Sequence, residues 1–253
     1  MNGFEAAAGF ALLLVRPGMV VMGTPFLGAL NAPPHVRVGL VAFLALLMAS
    51  ATRTPVNLPV AGLAVVIVRE IAIGMAIALS VRVLIAAAEF AGQFAGYQIG
   101  LSLGALIDPQ SGVRNNVLAL LYGNLAVVIC LATNAHHAVI RALGDSYAAL
   151  PLGLGSGISG SLQGAVGQIF GLIFMIGLRI AAPLIVVLLL VELALGLVAR
   201  VAPSLNVMIA GAPVRVVAGL LVIALTVGGL PTIISRFVPA VLSLGAETAR
   251  AFR

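Results

Sequence analysis

Hydrophobic positions in this chain form long runs rather than narrow faces. Residues 6–30, 38–51, 58–103, 117–133, 165–200 and 216–234 are apolar for most of their length. Runs this long predict helices, since core strands are only about four to eight residues long. Apolar and polar residues nowhere alternate over about ten positions, which argues against a membrane β-barrel. Arg16-Pro17 and Gly23-Thr24-Pro25 are expected to interrupt the first run. The second run is short for a straight span of about 20 residues.

Turn chemistry separates the runs. Asn31-Ala32-Pro33-Pro34 and Arg53-Thr54-Pro55-Val56-Asn57 are stiff breaks. The stretch 105–116 carries Asp108-Pro109 and Ser111-Gly112, both turn signals. Residues 153–164 hold five Gly and three Ser in twelve positions. Such a tract is flexible and marks a boundary between two parts, 1–164 and 165–253.

Composition excludes whole classes. The 253 residues are 62% hydrophobic and only 8% charged. A soluble domain carries about 25% charged residues, and disorder requires low hydrophobicity. The solvent of this chain is therefore mostly lipid or other apolar helices. Its net charge is +6, all of it from scattered arginines, with no Trp and 5% aromatics. Nucleic-acid binding calls for basic clusters with aromatics, so that class is set aside. The single Cys130 precludes an intramolecular disulfide and reads as a small core residue. A cleaved signal peptide opens with positive charge. Here Glu5 comes first and Arg16 is the first basic residue, so the first run is expected to be retained.

Charges inside the apolar runs constrain the architecture. Arg16, Arg69, Glu70, Arg82, Glu89, Arg179 and Glu192 all lie there. Each would cost on the order of 3 kcal/mol at a lipid-facing helix centre, or roughly 20 kcal/mol together as an upper bound. That exceeds the stability of most folds. These groups must face protein or water, either along an aqueous path or against neighbouring subunits. Arg16 and Arg179 have the further option of snorkelling to headgroups.

The stretch 89–104 is the most informative. Gly92, Gly96, Gly100 and Gly104 recur every fourth residue, with Glu89, Gln93 and Tyr97 beside them at the same step. On an α-helix such rows drift by about 40° per turn, giving a glycine stripe next to a polar one. Glycine costs about 1 kcal/mol in a helix interior. The repetition predicts a second backbone approaching along the groove, as in small-xxx-small packing. The stripe then runs into the Asp-Pro loop.

No catalytic constellation is present. G-x-S-x-G, H-E-x-x-H and phosphate-loop patterns are all missing. His136-His137 lacks further ligands at metal spacing and reads as a capping or interfacial pair. Neither a metal nor a cofactor is expected. Arg141 to Tyr147 reads as a polar stretch at the membrane surface.

Several short motifs occur in a characteristic order. They are Ala91-Gly92, Gln98-Ile99-Gly100-Leu101-Ser102, Asp108-Pro109 and Asn134-Ala135-His136-His137. Asp145-Ser146-Tyr147, Leu150-Pro151-Leu152-Gly153, Ala181-Ala182-Pro183 and the run from Ala199 through Pro203 to Val207 follow. With them the chain resembles the FliR family, export-gate membrane proteins of bacterial flagella with a counterpart in injectisomes. It departs from the family's usual pattern at Ser204, where Gln is common, and at Ala135, where Gly is common.

The resemblance implies an all-α membrane protein of bent helical hairpins. Its FliP-like N-terminal part would be fused to a FliQ-like C-terminal part. The implied partners are FliP-like, FliQ-like and FlhB-like subunits and the unfolded polypeptides they export. The implied location is the bacterial inner membrane, at the flagellar basal body. A hydropathy count of about six or seven spans is expected to mislead. The resemblance also implies a plug loop at 102–116. There Leu106, Ile107 and Val113 would form a dry constriction, and Gly104, Asp108, Pro109 and Gly112 would shape the loop. Arg69, Glu70, Arg82, Glu89 and Glu192 would pair with neighbouring subunits. A small secondary transporter using Arg82 and Glu89 is the alternative, although such proteins usually carry internal repeats and none is visible here.

Overall fold

A computed structural model describes residues 3–28, 33–49, 60–100, 116–153, 162–202 and 207–250. They form eight α-helices: α1 (Gly3–Gly23), α2 (Pro34–Ala49), α3 (Val60–Ile99), α4 (Val117–Ala132), α5 (Ala135–Ala149), α6 (Leu162–Val201), α7 (Val207–Thr226) and α8 (Leu230–Arg250). A short 3₁₀ turn, Val227–Gly229, joins α7 to α8, and there is no strand among the described residues. The protein is an all-α membrane protein. Three helical stretches are long and apolar enough to cross a bilayer: Gly62–Ile99, Gly167–Val201 and Gly211–Arg250. The bent pair α4–α5 makes a fourth if its halves count as one span. Asn134, at φ 58°, supplies the left-handed residue at that break.

Three sequence expectations are corrected. Arg16-Pro17 does not interrupt the first run, and α1 passes through Pro17. Proline lacks the N–H that would bond the carbonyl four residues back. Here that carbonyl belongs to Leu13, and it accepts a hydrogen bond from the buried Tyr147 hydroxyl at 3.2 Å. Nor does the stretch from Arg141 to Tyr147 lie at a surface throughout. It is helical, with Arg141 and Asp145 exposed but Ser146 and Tyr147 buried. Finally, helix extends well beyond 216–234 at both ends. On α8, Ile234, Phe237, Val241 and Leu244 face inward, while Arg236, Ser243, Glu247 and Arg250 are exposed. The helical period carries this segment where an unbroken apolar run does not.

The chain divides into two compact units that interleave along the sequence. One comprises Met1–Val83, Cys130–Gly171 and Phe237–Arg253, and the other Leu84–Ile129 and Leu172–Arg236.

The first unit is organised around a buried ion pair. Arg16 and Glu70 are both 0% exposed. Arg16 Nε and Nη2 donate to the two Glu70 carboxylate oxygens at 2.7 and 2.8 Å. Its Nη1 donates to Ser146 Oγ at 3.0 Å, and Nη2 also donates to the Leu150 carbonyl at 2.9 Å. The guanidinium lies 4.0 Å from the centre of the Tyr147 ring. The Leu150 carbonyl closes the C-terminal end of α5, where unpaired carbonyls attract a cation. Arg69 reaches the same region and donates to the carbonyls of Pro151 at 3.1 Å and Gly153 at 2.8 Å. Gly74 lets α1 come close: a Cβ there would sit 2.8 Å from the Arg16 carbonyl.

Removing one member of a buried pair strands a charge and typically costs about 3–5 kcal/mol, whereas replacing both with apolar residues is often neutral. Arg16→Met should therefore lower thermal stability in detergent sharply, and the double variant Arg16→Met/Glu70→Leu should recover most of that loss. Tyr147→Phe should cost about 1 kcal/mol through the unpaired Leu13 carbonyl. An unchanged melting temperature in Arg16→Met would refute the central role of the pair.

Candidate functional site

The second unit places the glycine and polar stripes at the end of α3. Gly92 and Gly96 are buried, while Glu89 and Tyr97 are exposed and Gln93 is half-buried. The two stripes therefore have different surroundings. The glycine stripe lies under α4, where a Cβ on Gly92 would collide with the Leu118 carbonyl and come within 2.8 Å of Ala119 Cα. A Cβ on Gly96 would overlap the Asn116 side-chain amide.

Asn116 is the residue that sequence reasoning missed. Its Nδ2 donates to the Gln93 carbonyl at 3.0 Å and to the Gly92 carbonyl at 3.4 Å. Its Oδ1 accepts from the Leu118 N–H at 3.0 Å. One side chain thus caps the first turn of α4 and fastens it to α3. An Asn directly before an apolar run was the available signal. At the other end, α3 closes at Gly100, whose N–H donates to the Tyr97 carbonyl at 3.1 Å. Gly100 has φ 88°, a backbone position that favours glycine.

The chain therefore leaves α3 at Gly100 and is tied back to the same helix at Asn116. Between them lie Gly104, Leu106, Ile107, Asp108, Pro109, Gly112 and Val113, all outside the described residues. Other elements also converge on this end of α3. Gly177 of α6 accommodates Phe90, and the Phe90 and Phe174 ring centres lie 5.9 Å apart. Gly219 of α7 leaves room for Ile99.

The charges separate into two groups. Glu70 is corrected: its partner is Arg16 of the same chain rather than a neighbouring subunit. Half-buried Arg69 is likewise bonded within the chain, through Pro151 and Gly153. Their apolar runs fold onto each other, so the charges meet without a second chain. Arg82, Glu89 and Glu192 are exposed. Arg82 makes one long contact, Nε to the Gly23 carbonyl at 3.4 Å. Glu89 lies against Gly123, and among the described residues no cation reaches ion-pairing distance of Glu89 or Glu192.

Comparison with known proteins places these features in a family. The family described as "Bacterial export proteins, family 1" matches residues 7–240. The chain is 28% identical to the flagellar biosynthetic protein FliR of Caulobacter vibrioides, covering 91% of this chain and 94% of that one. Identity to the protein of the same name from Bacillus subtilis is 29%, covering 95% and 93%. For the Escherichia coli protein it is 33%, covering 83% and 81%.

The packing yields a comparison of signs. Gly96→Leu should destabilise the protein by about 1–3 kcal/mol, because Asn116 must move. Asn116→Ala should cost about 1 kcal/mol. Gly171 of α6 has nothing within 4 Å of an added Cβ, so Gly171→Ala should be neutral or stabilising by up to about 1 kcal/mol. Thermal unfolding in detergent checks all three, and equal effects of Gly96→Leu and Gly171→Ala would show that the groove is not tightly closed.

Proposed function

The chain belongs to the FliR family of bacterial export proteins, and on that premise we propose that it is a subunit of the membrane gate for export of unfolded flagellar proteins. The match over residues 7–240 carries this reading. The relatives' names favour a flagellum over an injectisome. The site of action is the bacterial inner membrane, at the flagellar basal body.

The partners are FliP-like, FliQ-like and FlhB-like subunits. Residues 1–164 form the FliP-like part and 165–253 the FliQ-like part. Two observations support an assembly. The most apolar part of Gly167–Val201 is only 22% buried within the chain. Glu192 stands exposed on that helix among exposed Leu189, Leu190, Leu193 and Leu197. Lipid would accept the leucines but not the carboxylate. A neighbouring subunit accommodates both, and Arg82 and Glu89 take partners in the same way.

The segment 102–116 is the plug. Its base is held on α3 by Gly100 and by the hydrogen bonds of Asn116. A gate for polypeptides must stop ions when idle, because each charge crossing 100 mV dissipates about 2.3 kcal/mol. Leu106, Ile107 and Val113 supply the dry constriction, and Gly104, Asp108, Pro109 and Gly112 shape the turn around it. The work is mechanical, with no covalent chemistry.

Deleting residues 105–112 should make cells expressing the assembled gate leak ions or small molecules. Normal permeability with the complex intact would refute the plug assignment. Purification in mild detergent should bring down FliP-like and FliQ-like subunits, whereas a well-behaved solitary monomer would overturn the assembly.

A further inference from the structure

The first unit contains a cavity of about 650 Å³ between α3, α5 and α8. Half of its lining residues are Ala or Ser, so the space is set by small side chains on facing helices. Its apolar surface comes from Ile77, Leu150 and Leu242 together with those alanines. Its ionic groups are Arg141, Asp145 and Arg250, with His137 one turn before Arg141. Arg141, Asp145 and Arg250 are exposed, and no ion pair among the described residues includes them. None of these groups serves the gate described above.

We propose that this cavity binds one anionic phospholipid. Two arginines and one aspartate leave a net charge of +1, which matches a monoanionic phosphodiester. The apolar surface suits an acyl chain. The volume is that of a small-molecule site. Basic pockets between membrane helices recognise lipid headgroups by this combination of charge and apolar surface. Asp145 is the counterweight: it penalises a second negative charge and favours a headgroup with an additional hydroxyl or amine donor. The assignment depends on the membrane character of the chain and not on the gate reading.

The test uses the full-length protein with whatever copurifies, in neutral detergent. Native mass spectrometry counts bound dioctanoyl-phosphatidylglycerol and, in parallel, dioctanoyl-phosphatidylcholine. One tightly bound phosphatidylglycerol is expected, with phosphatidylcholine about tenfold weaker or worse. Arg141→Gln/Arg250→Gln should lose phosphatidylglycerol about tenfold, and Arg141→Lys/Arg250→Lys should retain most of it. Ala142→Leu/Ala246→Leu should lose both lipids by filling the space. The exposed arginine positions keep the test informative even where the leucine variant fails to fold. Equal binding of the two lipids, undiminished binding in the glutamine variant, or a copurified polypeptide occupying the site would each overturn the proposal. Failure of the gate reading would show in permeability and leave these affinities unchanged.

Discussion

A charge pair sealed inside an apolar chain sets the terms for the rest of the first unit. Among lipid-facing helices the hydrophobic effect does not choose one packing over another, because lipid tails are as apolar as leucine. Polar contacts then supply register. Arg16 joins Glu70 of α3 to Ser146 and Leu150 around the end of α5. These partners lie 54 to 134 residues away in sequence. Once guanidinium and carboxylate meet, α1, α3 and α5 have no freedom to slide by a turn. Tyr147 reinforces the arrangement from both sides, with its ring against Arg16 and its hydroxyl on the Leu13 carbonyl that Pro17 leaves free. The proline in α1 and the tyrosine in α5 are thus two halves of one hydrogen-bonding requirement.

That internal pairing reduces what an assembly has to explain. Seven charges within apolar runs looked beyond the capacity of one chain. Arg16 and Glu70 satisfy each other, and Arg69 fastens the segment that follows α5 through two carbonyls. Arg69 and Glu70 are adjacent on α3, about 100° apart around its axis; Arg69 holds Pro151 and Gly153 directly, while Glu70 holds Ser146 and Leu150 only through Arg16. Under the proposed assembly, the charges left for neighbouring subunits are narrower and more specific: the exposed Glu89 and Glu192 above all, then Arg82 with its single long contact.

Much of the helical layout was legible in the sequence because apolar runs and turn residues are local signals. The run 58–103 appears as the single helix Val60–Ile99, and the run 165–200 as Leu162–Val201. Pro17 misled because its effect depends on a distant hydroxyl, which no local rule can supply. Tyr147 and Ser146 misled for the same reason, since polar residues on a helix look solvent-facing until a buried arginine is found to need them. The amphipathic α8 extends past its apolar run because its buried residues recur at the helical period rather than in sequence. At the candidate site the glycine stripe could be read from spacing. For Asn116 only the capping role is local; its tie to α3 is not, because those acceptors lie on another helix at Gly92 and Gln93.

Small residues serve both close packing and open space, and what faces them decides which. Under α4, Gly92 and Gly96 meet a main chain and an asparagine amide, so the missing side-chain volume becomes close contact. Between α3, α5 and α8, alanines and serines face one another, and the missing volume stays as a cavity. A stripe of small residues is therefore not by itself a packing motif. It becomes one where the opposing surface carries backbone or a flat polar group able to enter the groove. Where the opposing surface is equally small, the same composition leaves open space among the described residues. The closed groove fastens Asn116 to α3, while the open one stands beside arginines that have no ion-pair partner among the described residues.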